Sequence, residues 1–255
     1  MGYFARLLKT RLAGSRWKFA RTVDEWIWFH KSVSRLKREA VNCHTPLEMF
    51  RALQRTPLSA IQNETEIVAL LDLVAKLRPE RVAEIGSYNG GTLLLFSRVS
   101  SPTAHLVALD LDLELRQWGF SRLALPGQRV TCFACDSHAE STRDRLAKAI
   151  GGQPLDFLFI DGDHRFDGVS RDFALYSPLV RAGGLIAFHD IMPNHAIKSG
   201  APRGPDGGDV WKFWKQLREI YPDHQELLHD GPDQDGWGIG VLRWAGPGQT
   251  LTPSC

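Results

Sequence analysis

The stretch Val82-Ala-Glu-Ile-Gly-Ser-Tyr-Asn-Gly-Gly-Thr92 decides how this chain is read. It opens as a short apolar strand carrying one acid, and glycines at 86, 90 and 91 follow at once. A helix is expected next, from Thr92 to Val99. Glycine has no Cβ, so a turn built from it can press bare backbone N–H groups against a ligand. Strand, glycine turn and helix in that order form a nucleotide-cofactor loop. A dinucleotide fingerprint needs glycines at relative positions one, three and six. Those positions fall on 86, 88 and 91, and residue 88 is Tyr. This disfavours NAD, although an NAD-dependent oxidoreductase on a similar sheet stays open as the alternative.

The neighbouring sequence sets the architecture. Upstream, Glu64 to Leu77 has apolar residues at 67, 70, 71 and 74, the spacing of a helix with one buried stripe, and Pro79 ends it. Downstream, the apolar runs Leu106–Leu109, Val130–Ala134, Leu155–Ile160 and Leu185–Phe188 are separated by helix-compatible segments. Strand alternating with helix predicts an α/β, doubly wound fold, because a parallel crossover needs a dozen or more residues and usually a helix. Near the end, Glu226–His229 and Gly236–Leu242 flank the turn-rich Asp230-Gly-Pro-Asp-Gln-Asp235, which predicts a hairpin and an antiparallel last strand. The aromatics of Gly207-Gly-Asp-Val-Trp-Lys-Phe-Trp214 are read as core rather than as a substrate platform.

In an open α/β sheet, ligands bind outside the carboxyl ends of the strands. Here those ends are acidic or polar: Asp110 after the second, Asp136-Ser137 after the third, Asp161-Gly-Asp-His164 after the fourth and His189-Asp190 after the fifth. An Asp after one strand is usually a turn former or a helix cap. Capping alone does not account for the same property at successive strands. Asp110 also lies 24 residues beyond Gly86, the distance at which an acid ending the second strand accepts the ribose hydroxyls of an adenosine.

Glu84 two residues before Gly86, with the next glycine four residues on, resembles the first motif of class I S-adenosylmethionine (SAM) methyltransferases. The resemblance spans about residues 60 to 243. It implies a mostly parallel, Rossmann-like seven-stranded sheet with an antiparallel C-terminal strand, and SAM as cofactor. It places the cofactor against Glu84, Gly86, Ser87, Tyr88, Gly90, Thr92, Asp110, Asp136, Ser137 and Asp161. Phe159-Ile-Asp-Gly-Asp-His-Arg-Phe-Asp-Gly-Val169 and Tyr176 to Asp190 look like the subfamily of cephalosporin-cluster and macrolide-sugar O-methyltransferases, and more distantly like the catechol-type enzymes. That likeness implies a divalent cation held by Asp161 and Asp190, with His189 as a further ligand, and catalysis by His164 as base together with Asp161. Mg²⁺ prefers oxygen donors, so His189 either faces away, selects a borderline metal such as Mn²⁺, or marks a site that binds none. Two ligands of one ion must bring their carboxylates within about 4 to 5 Å. The implied acceptor is a hydroxyl of a sugar or secondary metabolite, and the Gly- and Pro-rich segment from Met192 to Gly208 is the expected determinant of its choice.

Composition supports this and adds a second region. The 255 residues are 43% hydrophobic and 24% charged, enough to bury a full core. The net charge of +2 conceals an asymmetry: residues 1–40 hold ten Lys/Arg against three Asp/Glu, or +7, leaving 21 against 26, or −5. The reading divides the chain into a basic, aromatic-rich helical extension, 1–58, outside the core, and a SAM-dependent methyltransferase domain, 59–255. The extension is expected to cover the site or build a homo-oligomer, to lie on an anionic membrane through residues 1–40, or to remain a flexible tail. If it docks on membrane while the core only senses SAM, the protein is a non-catalytic module instead. Nucleic-acid binding is not expected, since the basic residues join no reader motif. No run approaches the roughly 20 apolar residues of a membrane span, and the N-terminus lacks the apolar core of a secretory signal. The expectation is a cytoplasmic protein. Cys132 and Cys135 are read as structural, because strand geometry sends residues three apart to opposite faces.

Overall fold

The computed structural model describes residues 31–56, 58–88, 90–111, 113, 122, 124–194 and 208–246. After a helical segment at 31–40, the elements run α1 (Pro46–Leu53), α2 (Glu64–Leu77), β1 (Arg81–Ile85), α3 (Gly91–Val99), β2 (His105–Asp110), β3 (Arg129–Ala134), α4 (Glu140–Ala149), β4 (Leu155–Ile160), α5 (Phe166–Tyr176), a 3₁₀ turn (Ser177–Leu179), β5 (Val180–His189), α6 (Val210–Ile220), β6 (His224–Leu227) and β7 (Ile239–Arg243). One seven-stranded sheet has the order β3-β2-β1-β4-β5-β7-β6. β1 pairs parallel with β2 and β4, β2 with β3, and β4 with β5, while β7 runs antiparallel to both β5 and β6. The doubly wound α/β reading and its reversed final strand hold.

Local chemistry explains the elements. Asn63 caps α2 by accepting from the Thr65 and Glu66 N–H groups, and Ile67, Leu70, Leu71 and Val74 form its buried stripe. The helix stops at Arg78, in the left-handed region just before Pro79. β4 is buried along its whole length, as a strand covered on both faces must be. One apolar cluster, with Phe96 edge-on to Phe157 and Phe159 at 4.9 and 5.4 Å, seats α3 on one face of the sheet. The other cluster packs Trp214, Phe213 and Tyr176 on the opposite face. Cys132 packs with the first and Cys135 with the second, so the two thiols do point apart.

Three expectations change. β5 begins at Val180 rather than 185, and its pairing with β4 shifts register between Leu155 and Phe157. Gly184 makes this possible: a Cβ there would lie 2.8 Å from the Asp156 carbonyl oxygen. Second, β7 starts at Ile239, because Gly236, Trp237 and Gly238 all have positive φ and cannot extend a strand. Third, the extension does not stand wholly outside the core. Val33, Leu36, Met49, Phe50, Leu53 and Leu58 are buried in the same cluster as Leu70 and Phe96. The apolar faces of 31–58 close over α2 and α3, which would otherwise expose theirs to water. The membrane, covering and oligomer expectations for the extension fall largely on residues 1–30, outside the described residues. No helix among the described residues is long and apolar enough to cross a membrane.

Asp156 ties the amino ends of three strands together. Its Oδ2 accepts from the Glu80 and Arg81 N–H groups at 2.8 and 2.9 Å, and Arg181 Nε donates to Oδ1 at 2.6 Å. Burial alone would raise this carboxyl, but Arg181 and the two backbone donors outweigh it and hold it below its usual range. A depressed folded-state pKa stabilises at pH above the unfolded value, about 3.9, and the contribution fades as pH falls through the folded one. Asp156→Ala should therefore cost about 2 kcal/mol in urea unfolding at pH 7, and the gap to wild type should narrow on acidification. A gap independent of pH contradicts the charge-assisted clamp.

Candidate active site

Register alone brings the acidic strand ends to one level. Ile85 pairs with Leu109 and with Ile160, and Ile160 with Phe188, so Gly86, Asp110, Asp161 and His189 are the next residue on each of four adjacent strands. The Gly86 N–H donates to Leu109 O and the Asp161 N–H to Ile85 O, both at 2.8 Å, which carries the pairing one step past the sheet. Between β1 and β4 the chain order reverses, the switch point at which open α/β sheets bind ligands. A cleft of about 1220 Å³ opens there.

The glycine loop forms one wall. Gly86 has φ of 82°, and a Cβ on it would lie 2.0 Å from the Asp161 carbonyl oxygen. Tyr88 also takes a positive φ, 38°, where a dinucleotide loop has glycine. Its N–H donates to Asp110 Oδ2 at 2.7 Å, joining loop and ribose-binding candidate. Gly91 serves a different purpose from the one expected: a Cβ there would meet Leu58 O at 2.3 Å, so this glycine admits the passing 58–60 segment rather than a ligand.

Of the residues assigned to the cofactor from sequence, Gly86, Tyr88, Asp110, Asp136, Ser137 and Asp161 line the cleft. Glu84, Ser87, Gly90 and Thr92 do not. Gly90 is the N-cap of α3, with φ of 80°, and Thr92 is buried in its first turn. Glu84 lies beneath the loop, where burial pushes its carboxyl well above the ordinary value; the Ser87 hydroxyl opposes this, and the charges of Asp161 and Asp110 add to it. The Glu84 Oε2 and the Ser87 Oγ are both buried, and the hydroxyl is near enough to act on the carboxyl but makes no well-formed hydrogen bond among the described residues. Asp136 Oδ1 accepts from the His138 N–H at 2.9 Å, and the Tyr176 hydroxyl donates to Ser137 O at 2.7 Å, so α5 braces this part of the wall.

The catalytic candidates converge on the opposite side of Gly86. Single donor atoms of Asp161, His164 and Asp190 all lie within 4.8 Å of one another. His164 Nε2 is 3.4 Å from Asp161 Oδ1, and its Nδ1 is 3.2 Å from Asp190 Oδ2. Asp190 adopts φ of 59°, a turn that Asp tolerates and that aims its carboxylate back at the cleft. Two carboxylates and an imidazole at this spacing suit a divalent cation. The grouping differs in one member from the expected set, since His164 rather than His189 completes it. His189 is 5% exposed and sits behind, its Nδ1 3.2 Å from Asp161 Oδ1 and 3.5 Å from Asp190 Oδ1.

These charges fix one another. Burial would raise the Asp161 carboxyl, but His189 and then His164 hold it down at about 2. Burial would lower His189, yet Asp161 and Asp190 bring it up to about 9. Asp161 also raises His164, while burial raises Asp190. Sequence reasoning missed Gln62, whose Nε2 donates to Asp161 Oδ2 at 2.8 Å and orients the carboxylate. It also missed Glu66, a buried acid that accepts from Gln234 Nε2 at 2.8 Å and the Gly238 N–H at 2.9 Å, with His229 Nδ1 2.6 Å away. Glu66 thereby pins the β6–β7 loop, which carries Asp235 and Trp237 into the cleft. No local motif marks either residue. The 195–207 part of the expected acceptor loop lies outside the described residues.

Residues 83–191 match the family model described as a methyltransferase domain. Over those residues the chain is similar to methyltransferase domains, and the seven-stranded sheet around them has the fold of the solved structures that follow. It is similar to the O-methyltransferase of Bacillus cereus in complex with SAH, at 19% identity over 78% of this chain and 90% of that one, with a TM-score of 0.57. The O-methyltransferase of Streptomyces achromogenes involved in tomaymycin synthesis, in complex with SAM, is 17% identical over 83% and 89%, with a TM-score of 0.54. A methyltransferase of the mycinamycin biosynthetic pathway, in complex with Mg, SAH and mycinamycin VI, is 18% identical over 81% and 57%, with a TM-score of 0.52. At these identities the likeness is one of fold. Among curated proteins, an uncharacterised protein of Sinorhizobium fredii is 24% identical over 194 residues, 71% of this chain and 20% of that protein. Another, of Acanthamoeba polyphaga mimivirus, is 30% identical over 117 residues, 43% and 50% respectively. The chain spans half or less of the length of these two relatives.

The contact between Gly86 and Asp161 generates a stability prediction. Gly86→Ala combines a positive φ with a clash against fixed backbone, whereas Gly152→Ala, at φ of 69°, meets nothing within 4 Å. The first should cost more than about 3 kcal/mol and the second about 1 kcal/mol. Equal shifts in thermal denaturation contradict the close approach.

Proposed function

We propose that this protein is a SAM-dependent O-methyltransferase that methylates a hydroxyl of a small molecule, a sugar or secondary metabolite, with help from a divalent cation. One observation carries the reading: the donor atoms of Asp161, His164 and Asp190 gather within 4.8 Å in the same cleft that the glycine loop, Asp110 and Asp136 line. The related structures that hold SAM or SAH, one of them with Mg, support it.

In this reading Asp110 receives the ribose hydroxyls, with its Oδ2 steadied by the Tyr88 N–H. Asp136 and Ser137 face the adenine. Gly86 leaves the backbone bare beside the methionine portion. When bound, SAM supplies the methyl group with its leaving group already attached, and a cation lowers the pKa of the acceptor hydroxyl. Asp161 and Asp190 would hold that cation, Asp161 being oriented by Gln62 and kept ionised by His189. His164, which lines the cleft between those two acids, would serve as the base rather than as a third cation ligand, taking the proton of the acceptor hydroxyl as the methyl group passes to that oxygen. Holding both partners in line supplies much of the acceleration, because it removes the entropy of bringing them together.

Isothermal titration should find SAM and SAH binding to the full chain and no comparable binding of NADH. Asp110→Ala should weaken SAM by about 10- to 100-fold, the loss of hydrogen bonds to a charged acceptor. His164→Ala should bind SAM normally yet lower kcat by about 100-fold or more, as loss of a general base does. Tighter binding of NADH than of SAM, or undiminished turnover in both His164→Ala and Asp161→Asn, contradicts the proposal.

A further inference from the structure

Opposite the glycine loop, residues 236–238 hold a conformation that a side chain rarely tolerates. Gly236, Trp237 and Gly238 have φ of 70°, 59° and 84°. For a bulky residue such a backbone costs about 1 to 3 kcal/mol, and it persists only where the surroundings impose it. They do so from both sides. The Met192 N–H donates to Trp237 O at 3.0 Å and the Gly236 N–H to Pro193 O at 3.3 Å. The Gly238 N–H donates to the buried Glu66 at 2.9 Å. A Cβ on Gly238 would lie 2.9 Å from Met192 Cγ, so the segment is wedged as well as bonded.

The strain aims an indole at the reacting groups. The Trp237 ring stands edge-on to His189, with centroids 5.6 Å apart at 71°, and His189 Nδ1 is 3.2 Å from Asp161 Oδ1. Although its backbone is fixed, the residue is 37% exposed, and it opens into the cleft beside Met192. Large apolar residues left in water at a cleft mouth mark a binding surface. Ile61, Tyr88 and Leu111 are three more here, so four of the six exposed large hydrophobics among the described residues line this one cleft. Tyr88 and Leu111 flank Asp110 on the cofactor side, which leaves Ile61 and Trp237 for the second substrate, and of these Trp237 is the aromatic one and the one set against His189.

The charge of the wall narrows what that substrate is. Asp110, Asp136, Asp161, Asp163, Asp190 and Asp235 line the cleft, against one guanidinium, Arg165. That guanidinium is already engaged, with Nη2 2.5 Å from Asp163 Oδ2. The imidazoles of His164 and His189 are likewise set against Asp161 and Asp190, so a ligand bearing its own phosphate or carboxylate meets a described wall that is on balance acidic and whose cationic groups are already paired. A sulfonium cofactor suits the same field.

We propose that Trp237 is the stacking platform for the methyl acceptor, and that the acceptor is an uncharged ring carrying the reacting hydroxyl and presenting an apolar face. Sugars and arenes share that chemistry. The inference rests on the methyl-transfer reading above and adds the acceptor class to it.

The test uses the full chain saturated with SAH and Mg²⁺, with binding followed by ligand-observed NMR titration. The probes are catechol and methyl β-glucoside, each paired with an anionic counterpart, 3,4-dihydroxybenzoate and glucose 6-phosphate. At least one neutral ring should bind, and its counterpart should bind more weakly by about tenfold or more. Whichever neutral ring binds identifies the arene or the sugar arm. Trp237→Ala should weaken that neutral ring by about tenfold while SAH affinity stays as in wild type, and Trp237→Phe should keep most of the binding. Equal binding of the anionic counterparts, undiminished binding to Trp237→Ala, or no binding of either neutral ring overturns the proposal. Failure of the wild-type protein to bind SAH sinks the methyltransferase reading instead, so the two failures are told apart.

Discussion

The closest approach in the site is between backbones, where β1 and β4 emerge from the sheet side by side. Gly86 turns away at φ of 82°, and Asp161 follows β4 so near that a Cβ on Gly86 would lie 2.0 Å from its carbonyl oxygen. One contact does two things. It leaves Gly86 without a side chain, so that backbone can face a cofactor, and it sets Asp161 against the same space from the other side. Parallel pairing to β2 and β5 then fixes Asp110 and His189 at the same height. The site therefore depends on strand register more than on any single hydrogen bond.

Charge is the second constraint. Two carboxylates and two imidazoles meet within a few ångströms at the ends of β4 and β5 or in the turn that follows, and burial of like charges there would be costly if they were alone. Pairing is what makes it tolerable: His189 keeps Asp161 ionised, Gln62 takes its second oxygen, and His164 stands between Asp161 and Asp190. Glu66 is satisfied separately by the β6–β7 loop. An arrangement that is stable only through mutual compensation is also one that responds when a cation or substrate enters, because each new charge displaces an existing pairing.

What could be read from sequence was what repeats along the chain. The apolar runs of β2, β3 and β4 have the length and spacing of buried parallel strands, and the acids following them are contiguous with those runs. Asp110, Asp136, Asp161 and Asp190 were legible for that reason. Glu84, Ser87, Gly90 and Thr92 follow from linear adjacency to Gly86, which says nothing about which way a side chain faces, and none of the four lines the cleft. Gln62 and Glu66 act across about a hundred residues or more, with Glu66 reaching Gly238, and no periodicity encodes such a pairing. Gly236–Leu242 reads from sequence as the second strand of a hairpin, because the turn-rich 230–235 stretch precedes it; only the φ values at 236–238 show a strained turn before the strand. The extension was set apart by its charge, yet its apolar faces at Val33, Leu36 and Leu53 belong to the sheet's own core.

In the proposed reading one cleft holds an adenosyl cofactor along the glycine loop and a divalent cation between the acids ending β4 and β5. A crystal structure of the full chain with SAH and Mn²⁺, phased to show the anomalous signal of manganese, tests both halves at once. SAH should lie from Asp136 past Asp110 to Gly86, with a manganese peak bound by Asp161 and Asp190. SAH seated elsewhere, or manganese bound without either carboxylate, would contradict it.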